Sequence, residues 1–280
     1  MTSSEKTGST ESAIPAPGKQ PSLLGELCAE FAGTMILILF GAGVVAQVLT
    51  TPDGSKGGHD AIAWAWGFGV MLGVYVAGRV SGAHLNPAVT LSFAVYRGFS
   101  WKKVAPFVVA QTLGAFVAGL IVRLTYADLI RKVDPNLTET AGIFSTSPGD
   151  GVSIPTAFLD QVVGTAILVF VIFALTSPRN KGPLANMAPF MIGILVVGIG
   201  MAWGTNAGYA INPARDFGPR LASFVTGYDT AWVTDQGTPY WWLPIIAPII
   251  GAVVGGGLFQ VLIERHIPDD DFQEVGRAAS

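Results

Sequence analysis

Apolar residues run along this chain in long blocks separated by short polar or glycine-rich stretches. A helix that crosses a bilayer needs about 20 mainly apolar residues. Six blocks meet that length: Leu23–Leu49, Ala61–Arg79, Val104–Tyr126, Thr156–Thr176, Asn186–Trp203 and Tyr240–Ile263. Two shorter stretches, Asn86–Tyr96 and Asn212–Phe224, do not reach across. Each opens on the same triplet, Asn86-Pro87-Ala88 and Asn212-Pro213-Ala214. Asn is a strong helix N-cap and Pro fits the first helical position, so each triplet predicts the start of a short helix. Backbone that is not helical at membrane depth survives only inside protein or along a water-filled cavity. The segments Ser81–Leu85 and Thr205–Ile211, just before the two triplets, are the candidates for it.

The blocks fall into two similar halves. Glu30-Phe31-Ala32-Gly33-Thr34 sits in the first block and Gln161-Val162-Val163-Gly164-Thr165 in the fourth, and an Asn-Pro-Ala follows the second block of each half. Three spans per half is an odd number, so the second half runs through the bilayer in the opposite sense. The short helices then enter from opposite faces and meet with their N-termini at the midplane. The predicted fold is an all-α membrane protein of six transmembrane helices plus two half-spanning re-entrant helices, arranged as an inverted repeat. Its channel domain covers residues 22–265, with a first repeat at about 22–126 and a second at about 156–265. Residues 1–21 and 266–280 are polar and are expected to form disordered tails, without a removable signal peptide.

Composition fits that reading. The chain has 280 residues, of which 50% are hydrophobic and 12% charged, against roughly 25% charged in soluble domains. A formal charge of -3 without a basic block offers nothing to nucleic acid. Lys and Arg collect in some of the connecting loops, at Arg97, Lys102, Lys103, Arg179, Lys181 and Arg265. The loops on the other side hold Lys56, Arg131 and Lys132, offset by Asp128, Asp134, Glu139 and Asp150. The bias places both termini in the cytoplasm, in a cell (plasma) membrane. Cys28, the only cysteine, reads as a small buried hydrophobe in the first span. His84 reads as structural, and with His59 and His266 outside the core no metal site and no cofactor is expected.

Two helix N-termini at the midplane bring about half a positive charge each, a barrier to cations that a neutral molecule does not meet. With the Asn86 and Asn212 carbonyl oxygens used in capping, their NH2 groups are free to point into a pore. The backbone of Gly82, Ala83, His84, Gly208 and Ala210 would supply acceptor carbonyls. That combination favours neutral solutes bearing hydroxyls. Arg215 lies in a short helix inside the membrane, where a charge marks a pathway or a counter-ion. An ion pair with Asp216 is the alternative for it, and Asp216 can also hold the loop. Arg220 is expected at the vestibule edge, and Trp64 in an interfacial belt.

The stretches Ser81-Gly82-Ala83-His84-Leu85-Asn86-Pro87-Ala88-Val89-Thr90 and Asn212-Pro213-Ala214-Arg215-Asp216-Phe217-Gly218-Pro219 resemble the two signatures of the major intrinsic protein, or aquaporin, family. The resemblance covers about residues 23–265 and is nearest to the glycerol-conducting branch, through Asp216, Arg220, Tyr126 and Pro244-Ile245. It implies a passive channel for glycerol, small polyols and water that excludes ions and protons, in a lipid bilayer and as a homotetramer. It also implies a selectivity filter of Trp66, Gly200, Tyr209 and Arg215, with Gly200 widening the pore, and loop support from Glu30 and the residue at its second-half counterpart. Two positions depart from the family pattern. Tyr209 stands where glycerol facilitators usually carry Phe, and Gln161 where a second buried Glu is usual. A water-selective channel shares every feature but the filter and the Asp216/Arg220 pattern. A secondary transporter would need intramembrane carboxylates beyond Glu30 and Asp160 for a coupling ion, and no nucleophile–base or metal constellation of an enzyme can be assembled.

Overall fold

The computed structural model describes residues 20–268. The tails expected at 1–21 and 266–280 lie outside these residues, except at their inner ends. Nine α-helices occur in the described chain: α1 (Leu23–Leu49), α2 (His59–Ser81), α3 (Pro87–Tyr96), α4 (Trp101–Thr125), α5 (Ala127–Val133), α6 (Ile154–Thr176), α7 (Ala188–Ala207), α8 (Pro213–Val225) and α9 (Leu243–Leu262). Six of them, α1, α2, α4, α6, α7 and α9, are long and apolar enough to cross a membrane. At 1.5 Å per residue, α3 and α8 are about 15 and 20 Å long, so together they make up one membrane thickness.

Each helix boundary has a local cause. The Ser22 hydroxyl accepts from Gly25 N–H at the start of α1, and the Ser153 hydroxyl accepts from Thr156 N–H at the start of α6. The helices that lead into the pore, α2 and α7, both stop on a glycine in the left-handed conformation, Gly82 at φ +86° and Gly208 at φ +66°, where a side chain would be strained. Most span ends differ from the sequence prediction by a few residues, and two of the shifts fall beside the Asn-Pro-Ala triplets. Helix α7 runs on through Thr205, Asn206 and Ala207, and Ser81 is the last residue of α2. The non-helical approaches are therefore shorter than the pattern of apolar blocks implied. The short α5 follows α4 directly and was not predicted, because it is too brief to give an apolar stripe.

Small residues bring the spans together. A Cβ on Gly67 of α2 would lie 2.6 Å from the Gly193 carbonyl oxygen of α7, and one on Gly193 would lie 2.7 Å from the Gly67 oxygen. This contact joins the two halves. Within the halves, Gly114 of α4 sits on the Phe31 carbonyl of α1, and Gly251 of α9 sits on the Val162 carbonyl of α6. Such close approach is how helices associate where lipid offers no hydrophobic drive. Phe31 and Val162 each follow the anchor residue of their half, Glu30 or Gln161, so the repeat is structural as well as sequential.

Large apolar side chains face outward around the spans, among them Leu113, Phe190, Ile250 and Leu258. Trp64 joins them at 43% exposure. Cys28, expected to be buried, is exposed on the outer face of α1. His266, placed in the tail by its composition, belongs to an ordered turn, Glu264–His266. Arg179 ties this turn to the body by donating to the Glu264 and Ile267 carbonyls at 3.1 and 2.9 Å.

Candidate functional site

The two short helices meet head to head, and each asparagine ties them together. The Asn86 side-chain oxygen accepts from Ala88 N–H at 2.8 Å, capping α3, while its Nδ2 donates to the Ile211 carbonyl at 2.8 Å. The Asn212 oxygen accepts from the Ala214 and Arg215 N–H groups at 3.0 and 3.2 Å, and its Nδ2 donates to the Leu85 carbonyl at 2.9 Å. The caps are as predicted. The amides differ from prediction in one respect: one N–H of each is spent on the opposite loop, leaving one for the channel.

The approaches to the asparagines have matching backbones. Ala83 and Leu85 have φ +52° and +51°, and Tyr209 and Ile211 have φ +36° and +43°. Non-glycine residues in this region cost about 1–3 kcal/mol each and persist only when surroundings over-determine them. Ile211, β-branched, is the most demanding of the four. Glu30 supplies the constraint in the first half. Its two oxygens accept from His84 N–H at 2.9 Å, Leu85 N–H at 2.7 Å, the Ser81 hydroxyl at 2.6 Å and Gln111 Nε2 at 2.7 Å. Gln161 supplies it in the second half, where its Nε2 donates to the Ala207 carbonyl at 2.7 Å and its Oε1 accepts from Ile211 N–H at 3.0 Å.

A cavity of about 260 Å³ runs past both loops. It is lined by Gly82, Ala83, His84, Leu85 and Asn86 of the first approach, and by Tyr209, Ala210, Ile211, Asn212 and Arg215 of the second, with Trp66 on its wall. Gly208 and Gly200 stand one layer back. Gly208 ends α7 and packs against Thr146, where a Cβ would come within 3.0 Å of the Thr146 methyl. Gly200 lies behind the Tyr209 ring, whose Cζ would be 3.0 Å from a Cβ placed there. Its smallness therefore makes room for Tyr209 in the wall, and the simple widening expected from the resemblance does not describe it.

Three side chains stand together in the cavity wall, Trp66, Tyr209 and Arg215. The Arg215 guanidinium lies over the Trp66 ring at 3.9 Å from its centroid, a stacked geometry that delocalised cations favour. Trp66 is 3% exposed and fills the space left by Gly41 of α1. The Tyr209 hydroxyl and the Trp66 Nε1 are both buried and have no hydrogen-bond partner among the described residues.

The ion pair considered for Arg215 belongs to its neighbours. Asp216 accepts from the Thr146 N–H and hydroxyl through Oδ2, and pairs with Arg220 through Oδ1 at 2.8 Å. Arg220, expected at the vestibule edge, is 1% exposed and also donates to the Ala231 and Thr146 carbonyls. A buried pair persists when further hydrogen bonds satisfy both ions. Asp216 thus holds the loop between α5 and α6 and leaves Arg215 to the channel. His84 sits among Phe93, Phe99 and Phe107, with ring centroids 4.8, 4.7 and 5.5 Å away, and its Nδ1 lies 3.2 Å from the Thr90 hydroxyl.

Several contributors escaped the sequence reading. Gln111 donates to both Glu30 and Thr90, and an isolated polar residue within the apolar run of α4 was its available signal. Thr146 and the cross-loop carbonyls had none. His59, placed outside the core by its position, lies 2.9 Å through Nε2 from the Gly200 carbonyl.

Six spans, two opposed half-helices and a cavity that runs past both of their N-termini define a multi-pass membrane channel. The family model for the major intrinsic protein matches residues 18–259. The chain is 42% identical over 258 residues to the glycerol uptake facilitator protein of Pseudomonas aeruginosa, covering 89% of this chain and 92% of that one. It is 39% identical over 255 residues to human aquaporin-10, covering 89% and 84%. The X-ray structure of the aquaglyceroporin from Plasmodium falciparum superimposes with a TM-score of 0.79 at 31% identity, covering 86% of this chain and 97% of that one. The chain belongs to the major intrinsic protein family. Like the other members it is a channel and not an enzyme.

Proposed function

We propose that the protein conducts glycerol and similar small neutral polyols passively across the plasma membrane, together with water, and excludes ions and protons. The observation that carries this reading is the wall of Trp66, Tyr209 and Arg215. It sets a stacked indole–guanidinium pair, 3.9 Å from cation to ring centroid, beside a second aromatic ring. A polyol has a carbon edge and a hydroxyl edge, and such a wall offers aromatic faces to the first and donors to the second. The remaining N–H of Asn86 and of Asn212 would serve the hydroxyl oxygens at the midplane, with Gly82, Ala83, His84 and Ala210 along the approaches. Exclusion of cations and protons by a pore arginine and opposed half-helix dipoles is the established picture for aquaporin-type channels. The glycerol uptake facilitator and aquaglyceroporin relatives support the same solute class.

In this reading residues 22–265 act as one channel unit, with Pro87, Ala88, Pro213 and Ala214 starting the half-helices and Glu30, Gln161 and Asp216 supporting them. Both termini are cytoplasmic, and four copies assemble with one pore each. The carboxylates that a coupled transporter would need stand away from the cavity, and Asp160 keeps one oxygen without a partner among the described residues. Glu30 is filled by donors, and Asp160 accepts from Asn206 at 3.0 Å; neither lines the cavity.

Purified protein in liposomes tests the assignment by stopped-flow light scattering under a glycerol gradient. Glycerol-driven swelling should be fast, non-saturating and free of ion current. Swelling equal to that of empty liposomes alongside raised water flux would reject the polyol assignment in favour of a water-selective channel.

A further inference from the structure

The Tyr209 ring has a central place in the filter and little to hold it there. Its backbone is strained at φ +36°, and its hydroxyl, on a residue only 5% exposed, has no partner among the described residues. Its position therefore depends on what stands behind it. Behind it is a bare strip of α7 made by Gly200 and Gly204, one turn apart. A Cβ on Gly200 would lie 3.0 and 3.1 Å from the ring's Cζ and Cε2, and one on Gly204 would lie 3.3 Å from its Cδ1. The ring thus spans both glycines.

The imidazole of His59, the first residue of α2, occupies the same strip. A Cβ on Gly204 would fall 2.9 Å from His59 Nε2, and the ring's Cε1 is nearer still. His59 Nε2 is also 2.9 Å from the Gly200 carbonyl oxygen. A carbonyl oxygen only accepts, so Nε2 carries the proton and donates, whatever the charge on the ring. One turn later on α2, Ala63 closes the other side of Gly200, 3.2 Å from a Cβ placed there. The Tyr209 ring is hemmed in by a glycine strip that one side chain both fills and fastens.

We infer that His59 is a positioning residue of the selectivity filter, fixing how far the Tyr209 ring stands into the pore and hence the largest polyol that passes. Without the imidazole, the ring has room beside Gly204 to retreat. This rests on the channel reading above, and the experiment separates the two.

Liposomes carrying equal amounts of wild type, His59→Ala, His59→Gln and Tyr209→Ala, and the His59→Ala/Tyr209→Ala pair, are compared for glycerol and for the four-carbon polyol erythritol. In His59→Ala the erythritol-to-glycerol permeability ratio should rise about fivefold, the scale set by one lost hydrogen bond. His59→Gln, whose amide nitrogen can still donate to the Gly200 carbonyl, should keep the wild-type ratio. In the Tyr209→Ala background, His59→Ala should change the ratio no further. Should the alanine variant not reconstitute, His59→Asn, too short to reach the carbonyl, carries the same prediction. An unchanged ratio in His59→Ala overturns the inference. So does a proportional fall of both solutes in the Ala and Gln variants alike, or an equal shift with Tyr209 absent. Wild type passing neither solute would instead overturn the channel reading itself, and the inference with it.

Discussion

Gly82-Ala83-His84-Leu85-Asn86 and Gly208-Tyr209-Ala210-Ile211-Asn212 follow the same backbone course but are tied down by different chemistry. Both begin with a left-handed glycine, and the second and fourth residues of each have positive φ. Both end on an asparagine that caps a half-helix and donates to the other loop. Behind the first loop stands a carboxylate with donors on every side: two loop N–H groups, the Ser81 hydroxyl and Gln111. Behind the second stands an amide with one acceptor and one donor to meet. The reason lies in the partners. Ser81 has Ala207 as its counterpart, which has no hydroxyl to offer and presents its carbonyl. Gln111 lies three residues before Gly114, and the matching position before Gly251 is Pro248, which cannot donate. A second carboxylate would have had too few donors, and Gln161 suits what the second half provides.

Removing each anchor tests this most severely. Glu30→Ala leaves four donors to find new partners, and buried donors left unpaired cost about 1–3 kcal/mol each. It should abolish or nearly abolish folded protein, whereas Gln161→Ala orphans one N–H and one carbonyl and should lose about half as much. Thermal unfolding in detergent, followed by size-exclusion chromatography, ranks the two. Equal damage from both would break the asymmetry.

An exchange of chemistry has a smaller effect and a sharper meaning. Gln161→Glu sets a carboxylate oxygen against the Ala207 carbonyl where an N–H now donates. Both melting temperature and glycerol flux should fall, and adding Ala207→Ser, which restores the hydroxyl of the first half, should recover part of each. If Gln161→Glu alone is neutral, the amide is not required by its partners.

The smallest change is Gln111→Leu, which removes one of the donors to Glu30 and a bond to Thr90. Losing the two bonds should cost about 2–3 kcal/mol in the same melting assay, with glycerol flux retained. The second half already does without this bond at Pro248. A loss as large as that of Glu30→Ala would mean that Gln111, and not the loop N–H groups, dominates the first anchor.

Much of the site was legible because its signals are local. The caps of α3 and α8, the half-length of those helices and the buried charge of Arg215 all follow from residues within a turn of each other. Arg220 could not be placed that way. Its burial depends on the Ala231 and Thr146 carbonyls and on Asp216, and two of these three partners lie outside its helix. The family resemblance implied that Gly200 widens the pore, and only its contact with Tyr209 shows that the space is filled.

The sequence by itself determined the spans, the inverted repeat and two helix starts that must meet, because apolar length and capping act over a few residues. Only the tertiary structure decided which groups face the channel. The bonds that settle it join positions 125 and 127 apart, Asn86 to Ile211 and Asn212 to Leu85. His59 reaches Gly200 across 141. Such pairs exist only once the two halves have docked through α2 and α7, and no periodicity along the chain encodes them.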